Sequence, residues 1–158
     1  MLEQGSIDIS PARARDLRAI RTLQKRAFRA NLAYGLPTLT LLWAIPSAQI
    51  LVARHGNEIV GCAIGDRNGD ISRVVNIAVD PGQRRQGIGE QLLAALERAL
   101  PVGDLILMVQ EENTAAQALY QKSGYRKVGD ARNYYGKGEH GIWMRKVRAH
   151  RSDERIFV

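Results

Sequence analysis

Cysteine is nearly absent from this 158-residue chain, where Cys62 stands alone. One thiol can form neither an intramolecular disulfide nor a cysteine-rich zinc site, so a packed core must hold the fold, and a reducing cytoplasm fits. Long apolar runs are missing too. The longest candidate, Leu39 to Ile45, falls far short of a bilayer span. The opening Met1-Leu2-Glu3-Gln4-Gly5-Ser6 lacks a basic n-region and an apolar h-region, which predicts no signal peptide and a soluble, cytoplasmic protein. No repeat, low-complexity tract or linker divides the sequence, which therefore reads as one domain. His55 and His140 have no partner at metal-ligand spacing, so no metal site is expected. Acidic residues are outnumbered, 16 against 23 Lys and Arg, for a formal charge of +7. That excess suits an anionic ligand and equally suits a solvated basic surface. No aromatic-interleaved nucleic-acid motif accompanies it, and neither a nucleic-acid nor a membrane partner is expected.

What remains is strongly patterned. Ile7-Asp8-Ile9 alternates as a short strand does. Leu17, Ile20, Leu23 and Ala27 recur at helical spacing behind Asp16, the expected N-cap. Pro37 and Pro46 bracket Leu39, Leu42 and Trp43, marking a short second helix in an ambiguous stretch, with Trp43 as its anchor. The period then changes. Ile50 to Ala53 and Ile59 to Ile64 flank His55-Gly56-Asn57, a hairpin signature. Asn68-Gly69-Asp70 turns the chain into Val74 to Val79, apolar on both faces and β-branched as a central strand should be. Gly89, Leu92, Leu93, Leu96 and Leu100 trace one helical face, stopped by Pro101 and Gly103. Leu105 to Val109 is a further buried strand. Thr114 and Gln117 have capping-box spacing before a helix that Ser123-Gly124 ends. Tyr125 to Val128 and Gly141 to Met144 are the last strands, joined by a glycine-rich loop that includes His140. This order describes an α/β domain with a mixed sheet.

One junction carries chemistry. A strand, a loop rich in Arg and Gly, and a helix starting at the loop make an anion site, because the first turn of a helix has unpaired N–H groups and a positive dipole end. Gly87 and Gly89 remove side chains where a phosphate must approach the backbone, and Arg84 and Arg85 add charge. Alone, the segment could equally be a glycine-containing helix start. Here, however, Arg84-Arg85-Gln86-Gly87-Ile88-Gly89 matches the Gln/Arg-x-x-Gly-x-Gly/Ala loop of the GNAT superfamily of acetyltransferases. Downstream, Asn113-Thr114-Ala115-Ala116-Gln117-Ala118-Leu119-Tyr120-Gln121-Lys122-Ser123-Gly124-Tyr125 resembles that family's Asn-x-x-Ala-x-x-Leu-Tyr-x-x-x-Gly-Phe/Tyr stretch. The resemblance implies the GNAT fold: α/β, a mixed and mostly antiparallel sheet of about seven strands, about four helices, and a splay between strands four and five. It makes residues 1–147 one acetyltransferase domain and leaves 148–158 as a C-terminal tail, read as disordered, with docking on a second subunit as the alternative.

The resemblance also implies the ligand and the reaction, direct attack of an amine on acetyl-CoA. Acetyl-CoA would be held by Ile77, Ala78 and Val79, by Arg84, Arg85, Gln86, Gly87, Ile88 and Gly89, and by Asn113 and Tyr120. Within the superfamily, Asn76-Ile77-Ala78-Val79-Asp80-Pro81 and Asn133-Tyr134-Tyr135-Gly136, followed by Trp143-Met144, are most similar to RimI-type ribosomal-protein N-terminal acetyltransferases. That implies a protein N-terminus as acceptor, with Tyr134 and Tyr135 beside it. Glu139-His140-Gly141 departs from the Glu/Asp-Asp-Ala of that type, and acetylation of a small amine and a catalytically silent acyl-CoA-binding module stay open as alternatives. Tyr120 matches the tyrosine that acts as general acid toward the CoA sulfur; a helix tyrosine packed on the sheet is the plainer reading. The familiar base positions hold Met108 on the fifth strand and Arg73 on the fourth, and neither accepts a proton. An α-amine with pKa near 8 is roughly a tenth neutral at pH 7, against well under a thousandth for lysine at about 10.4. The missing base therefore favours an α-amine acceptor. Glu111 and Glu112 are read as solvated.

Overall fold

In the computed structural model, the structure describes residues 5–148, and the rest of the tail lies outside them. Seven strands form one sheet in the order β1-β2-β3-β4-β5-β7-β6. They are β1 Ile7–Pro11, β2 Ala48–His55, β3 Glu58–Asn68, β4 Ile71–Val79, β5 Leu105–Gln110, β6 Arg126–Gly136 and β7 Glu139–Lys146. The helices are α1 Leu17–Ala27, α2 Leu36–Ala44, α3 Ile88–Ala99 and α4 Thr114–Lys122. Neighbouring strands are antiparallel except β4 and β5, which are parallel. Class, strand number and helix number are those expected from the sequence.

Two cores lie on opposite faces of the sheet. Leu17, Ile20, Leu23 and Leu39 of α1 and α2 pack on Ile50, Val52, Cys62 and Ile64. Ile88, Leu92, Leu93 and Leu96 of α3 pack on Leu51, Ala53, Ala63, Leu105 and Leu107. Successive β2 residues thus enter different cores, which is why that strand reads as a continuous apolar run. Each leucine so buried stabilises the fold by roughly 1.5–3 kcal/mol. Trp43 donates its indole N–H to the Ala12 carbonyl at 3.1 Å, pinning α2 beside the end of β1.

The strand that matters most is β4. Its pairing with β3 shifts between Ile64–Asn76 and Gly65–Val74, so Val75 is an extra residue, a β-bulge. Before it Val74 enters the α3 core; after it Ile77 and Val79 pack on that same core while Ala78 enters the α1 core. The bulge reverses the parity of the strand. Gly65 makes this possible, since a β-carbon there would lie 2.7 Å from the Arg73 carbonyl oxygen and 2.6 Å from Leu100 Cδ1.

Three local readings are corrected. Asp16 does not cap α1. Its Oδ2 accepts from the Arg13 amide at 2.8 Å and from Arg54 Nη2 at 2.7 Å, so a partner on β2 wins over the local cap. The cap of α4 is Asn113, whose Oδ1 accepts from the Ala116 N–H at 3.1 Å. Gln117 turns away from a capping box and donates to the carbonyls of Gln110 and Glu111, at 3.1 and 2.8 Å. Finally, the glycine-rich loop before β7 is mostly strand: β6 runs to Gly136, and only Lys137 and Gly138 separate it from β7. Asn133, with φ of 56°, and a register shift between Ala131 and Gly136 break the regular alternation. His140 therefore lies in β7, where its Nδ1 accepts from the Asn133 N–H at 3.0 Å.

Candidate active site

The parallel pairing of β4 with β5 lasts only three positions: Ser72 with Leu105, Arg73 with Ile106 and Val74 with Leu107. Beyond them β4 stays with β3 as far as Val79, and β5 stays with β7 as far as Gln110. The strands part where the bulge bends β4, and the gap continues into a cleft of about 720 Å³. The Asp80 N–H donates to the Val60 carbonyl at 2.8 Å. Since N–H directions alternate along an antiparallel ladder, those of Ile77 and Val79 point away from β3, into the space β5 has left. They are ready-made donors for a ligand.

Opposite lies the loop before α3. Asp80 shapes its entry by accepting from the Gly82 N–H at 2.9 Å, and pairs with Arg26 at 2.7 Å. Arg85 has φ of 65° and Gly87 φ of 76°, so the backbone doubles back and leads directly into α3. Nothing lies within 4 Å of where a Gly87 β-carbon would stand. The first N–H groups of α3, free of intrahelical partners, open on the same cleft.

Of the residues expected to hold acetyl-CoA, Ile77, Ala78, Val79, Arg84, Arg85, Gly87, Ile88, Gly89, Asn113 and Tyr120 all line this cleft. Gln86 is exposed and does not. The wall also includes Phe28, Arg29 and Leu32, just after α1, and Gln110. No motif marks the α1–α2 connection, and sequence reasoning missed them. Tyr120, buried, packs edge-on to Tyr125 with ring centroids 5.7 Å apart. Tyr125 gives its hydroxyl proton to Glu97 at 3.0 Å, whereas no described residue accepts that of Tyr120. Burial, and next the neighbouring Tyr135, push the Tyr120 phenol well above its ordinary value of 10.0, so it stays protonated.

Residues 46–127, more than half of the chain, match the family described as acetyltransferase (GNAT) domain. The chain belongs to the GNAT acetyltransferase family. It is 38% identical over 96 residues to the N-alpha-acetyltransferase RimI of Mycobacterium tuberculosis, covering 58% of this chain and 61% of that one. With the ribosomal protein bS18-alanine N-acetyltransferase of Escherichia coli it shares 44% identity over 69 residues, 42% of this chain and 47% of the relative. The chain thus spans less than two thirds of either curated relative. The crystal structure of the ribosomal-protein-S18-alanine N-acetyltransferase from Escherichia coli is similar over 96% of this chain and 100% of that one, with TM-score 0.85 and 28% identity.

Tyr134 and Tyr135, expected beside the acceptor, do not line this GNAT cleft; they belong to an aromatic group next to it, where Tyr135 is a neighbour of Tyr120. Tyr134 and Tyr135 of β6 stand with ring centroids 5.0 Å apart, and Tyr134 meets Trp143 at 6.2 Å. Tyr134 is exposed and Tyr135 half-buried. Burial, then Tyr134, push the Tyr135 phenol up to about 12. Tyr34, between α1 and α2, is also raised, by burial first and then by Tyr134. Arg29 and Glu139 pair at 3.2 Å, linking the α1–α2 connection to β7. The two positions where the resemblance led a base to be expected, Arg73 and Met108, are firmly engaged. Arg73 donates Nε to Asp66 Oδ1 at 2.7 Å and Nη2 to Oδ2 at 2.5 Å. Met108 lies against Gly141. Among the described residues, the one carboxylate lining the donor cleft is Glu90, paired with Lys122 at 3.3 Å; Glu111 and Glu112 are exposed. Cys62 is buried, and burial, against a hydrogen bond from Gln24, pushes its thiol up to about 12. A group so protonated and enclosed cannot serve as an acyl-accepting thiolate.

Proposed function

We propose that this chain transfers the acetyl group of acetyl-CoA to the N-terminal α-amine of a protein. The observation that carries this reading is the gap between β4 and β5, with unpaired donors on one edge and the free Tyr120 hydroxyl on the other. The acetyl-CoA pyrophosphate would be bound by the Arg84–Gly89 loop and the first turn of α3, where dipole and guanidinium charge act together. The N–H of Ile77 or Val79 would meet the oxyanion formed when the amine attacks the thioester carbonyl. Collapse of that adduct breaks the C–S bond and sends the electron pair to sulfur. Tyr120 would stabilise the departing thiolate by hydrogen bonding. Its raised pKa means that a proton given to sulfur must be replaced at once, and the acidic ammonium of the adduct supplies it through water. No enzyme carboxylate is then required, and the acceptor must arrive as a neutral amine. That condition suits an α-amine with pKa near 8 far better than lysine. The aromatic wall of Tyr34, Tyr134 and Tyr135 supports an acceptor with a polypeptide backbone to lay across it.

The deciding experiment incubates the protein with acetyl-CoA and a panel of peptides, polyamines and amino acids, reading free thiol and product mass. Acetylation of peptide α-amines is expected. Turnover confined to polyamines or amino acids would overturn the protein-acceptor reading, and acetyl-CoA binding without any turnover would leave a silent acyl-CoA-binding module.

A further inference from the structure

Resting on that reading, the structure assigns Arg73 a role in choosing the acceptor. Arg73 recognises a side-chain carboxylate within the first three residues of the acceptor polypeptide. It stands on β4 among the last residues still paired with β5, at the root of the gap. Asp66, opposite it on β3, takes Nε and one proton of Nη2. The other Nη2 proton and both Nη1 protons have no acceptor among the described residues. The guanidinium is therefore held rigidly along one edge while its other edge is open, and Arg73 is 46% exposed against 17% for Asp66. An open Nη1–Nη2 edge has the geometry that binds a carboxylate bidentately. The fixed orientation also means that little side-chain entropy is lost on binding.

The surroundings agree. Arg73 and Asp66 are among the charges that act on the Tyr34 hydroxyl, after its burial and Tyr134, so the exposed cation stands in the neighbourhood of that aromatic group. Tyr34 also lines a separate hollow of about 660 Å³ whose charged members are Arg21 and Lys25, with no carboxylate among the residues lining it. A polypeptide crossing Tyr34 thus runs from the open edge of Arg73, whose charge Asp66 already offsets, toward Arg21 and Lys25, which have no ion-pair partner among the described residues. Acidic residues early in the acceptor complement this track, and basic ones oppose it.

The test measures kcat/KM for peptides matched except at one of positions 1, 2 or 3, carrying there Asp or Glu, their amides Asn or Gln, or Lys. Acidic peptides should exceed their amide controls by at least about tenfold, the gain expected of a charge-assisted bidentate pair. Added salt should narrow that ratio. In Arg73→Gln the ratio should fall toward one, and Arg73→Lys, a cation without the planar fork, should give an intermediate value. Equal rates for acidic and amide peptides in the unmodified protein would overturn the assignment while leaving N-terminal acetylation intact. A ratio that survives Arg73→Gln would also overturn it, and failure to acetylate any peptide would overturn both proposals.

Discussion

Met108 lies over Gly141: a β-carbon on that glycine would come within 2.5 Å of the Met108 sulfur and 3.3 Å of Tyr135. The thioether fills the room that a side chain on β7 would otherwise take. The position is occupied by packing, and chemistry there depends on the acceptor bringing its own neutral amine. The pH profile of kcat/KM should accordingly rise with the pKa of the acceptor, near 8 for an α-amine, and move when a peptide of different amine pKa is used.

Met108→Glu should alter that profile. Glu follows the same path to Cγ, so it can occupy the same space, and it adds a titrating carboxylate. The expected outcome is a new limb below pH 7 and a several-fold gain in kcat/KM at pH 6.5, where the neutral amine is scarce. A profile that still tracks only the amine would show that the position does not reach the acceptor.

Tyr120→Phe keeps the ring and its packing on Tyr125 while removing the unpaired hydroxyl. Turnover should drop by roughly 10²-fold with acetyl-CoA affinity little changed, because the lost hydrogen bond belongs to the thiolate formed late. Because burial raises the Tyr120 pKa, its O–H form persists as pH climbs. The sign follows: activity in the unmodified protein should show no fall from Tyr120 ionisation up to its ordinary value of 10.0. Loss of activity between pH 8 and 9 in a folded sample, traced by absorbance to phenolate formation, would contradict this.

Gly87→Glu puts a like charge where the pyrophosphate would approach and should weaken acetyl-CoA binding at least about tenfold by calorimetry. With φ of 76° at this position, any side chain adds strain, and Gly87→Ala isolates that cost. Equal affinities for the two variants would show that charge at this loop does not matter.

Arg148, at the boundary expected between domain and tail, is tightly bound into the fold. It donates to the carbonyls of Glu97, Leu100 and Gly103 at 3.0, 2.6 and 2.7 Å, and its amide donates to Asp104 Oδ1 at 3.0 Å. The carbonyls at the end of α3 are among those a helix cannot satisfy itself. Arg148→Ala should destabilise the protein by about 2–4 kcal/mol in urea unfolding, since three charge-assisted bonds are lost. A change under about 0.5 kcal/mol would show that water replaces them without cost.

Much of this was legible from the residues. Val74 to Val79 and Leu105 to Val109 announced central strands by composition, and the Arg84–Gly89 loop announced its helix and its anion chemistry together. What stayed hidden depends on distant partners. Asp16 looked like a cap because its nearest neighbours are helical, but Arg54 lies 38 positions away. The strand character of Asn133 to Gly136 was masked by residues suited to turns, two of which, Asn133 and Gly136, do adopt a positive φ inside a strand. Phe28, Arg29 and Leu32 line the cleft through the path of the α1–α2 connection, and no local periodicity encodes such a path. The pairing of Arg73 with Asp66 was invisible for the same reason, since only the register of β3 on β4 brings the two together.

Val75 gives the cleft an unusual genetic sensitivity. Because the bulge is one residue, odd and even positions trade faces there, and Val75 is the one position of the strand between Val74 and Asn76 with no partner on β3. Substitutions at this site change a side chain; a loss of three in-frame bases would change an integer. The ladder with β3 could then close without interruption, leaving Ile77 and Val79 on their present partners but removing the bend that separates β4 from β5. Variation in this protein should therefore tolerate many residues at position 75 and tolerate poorly their absence.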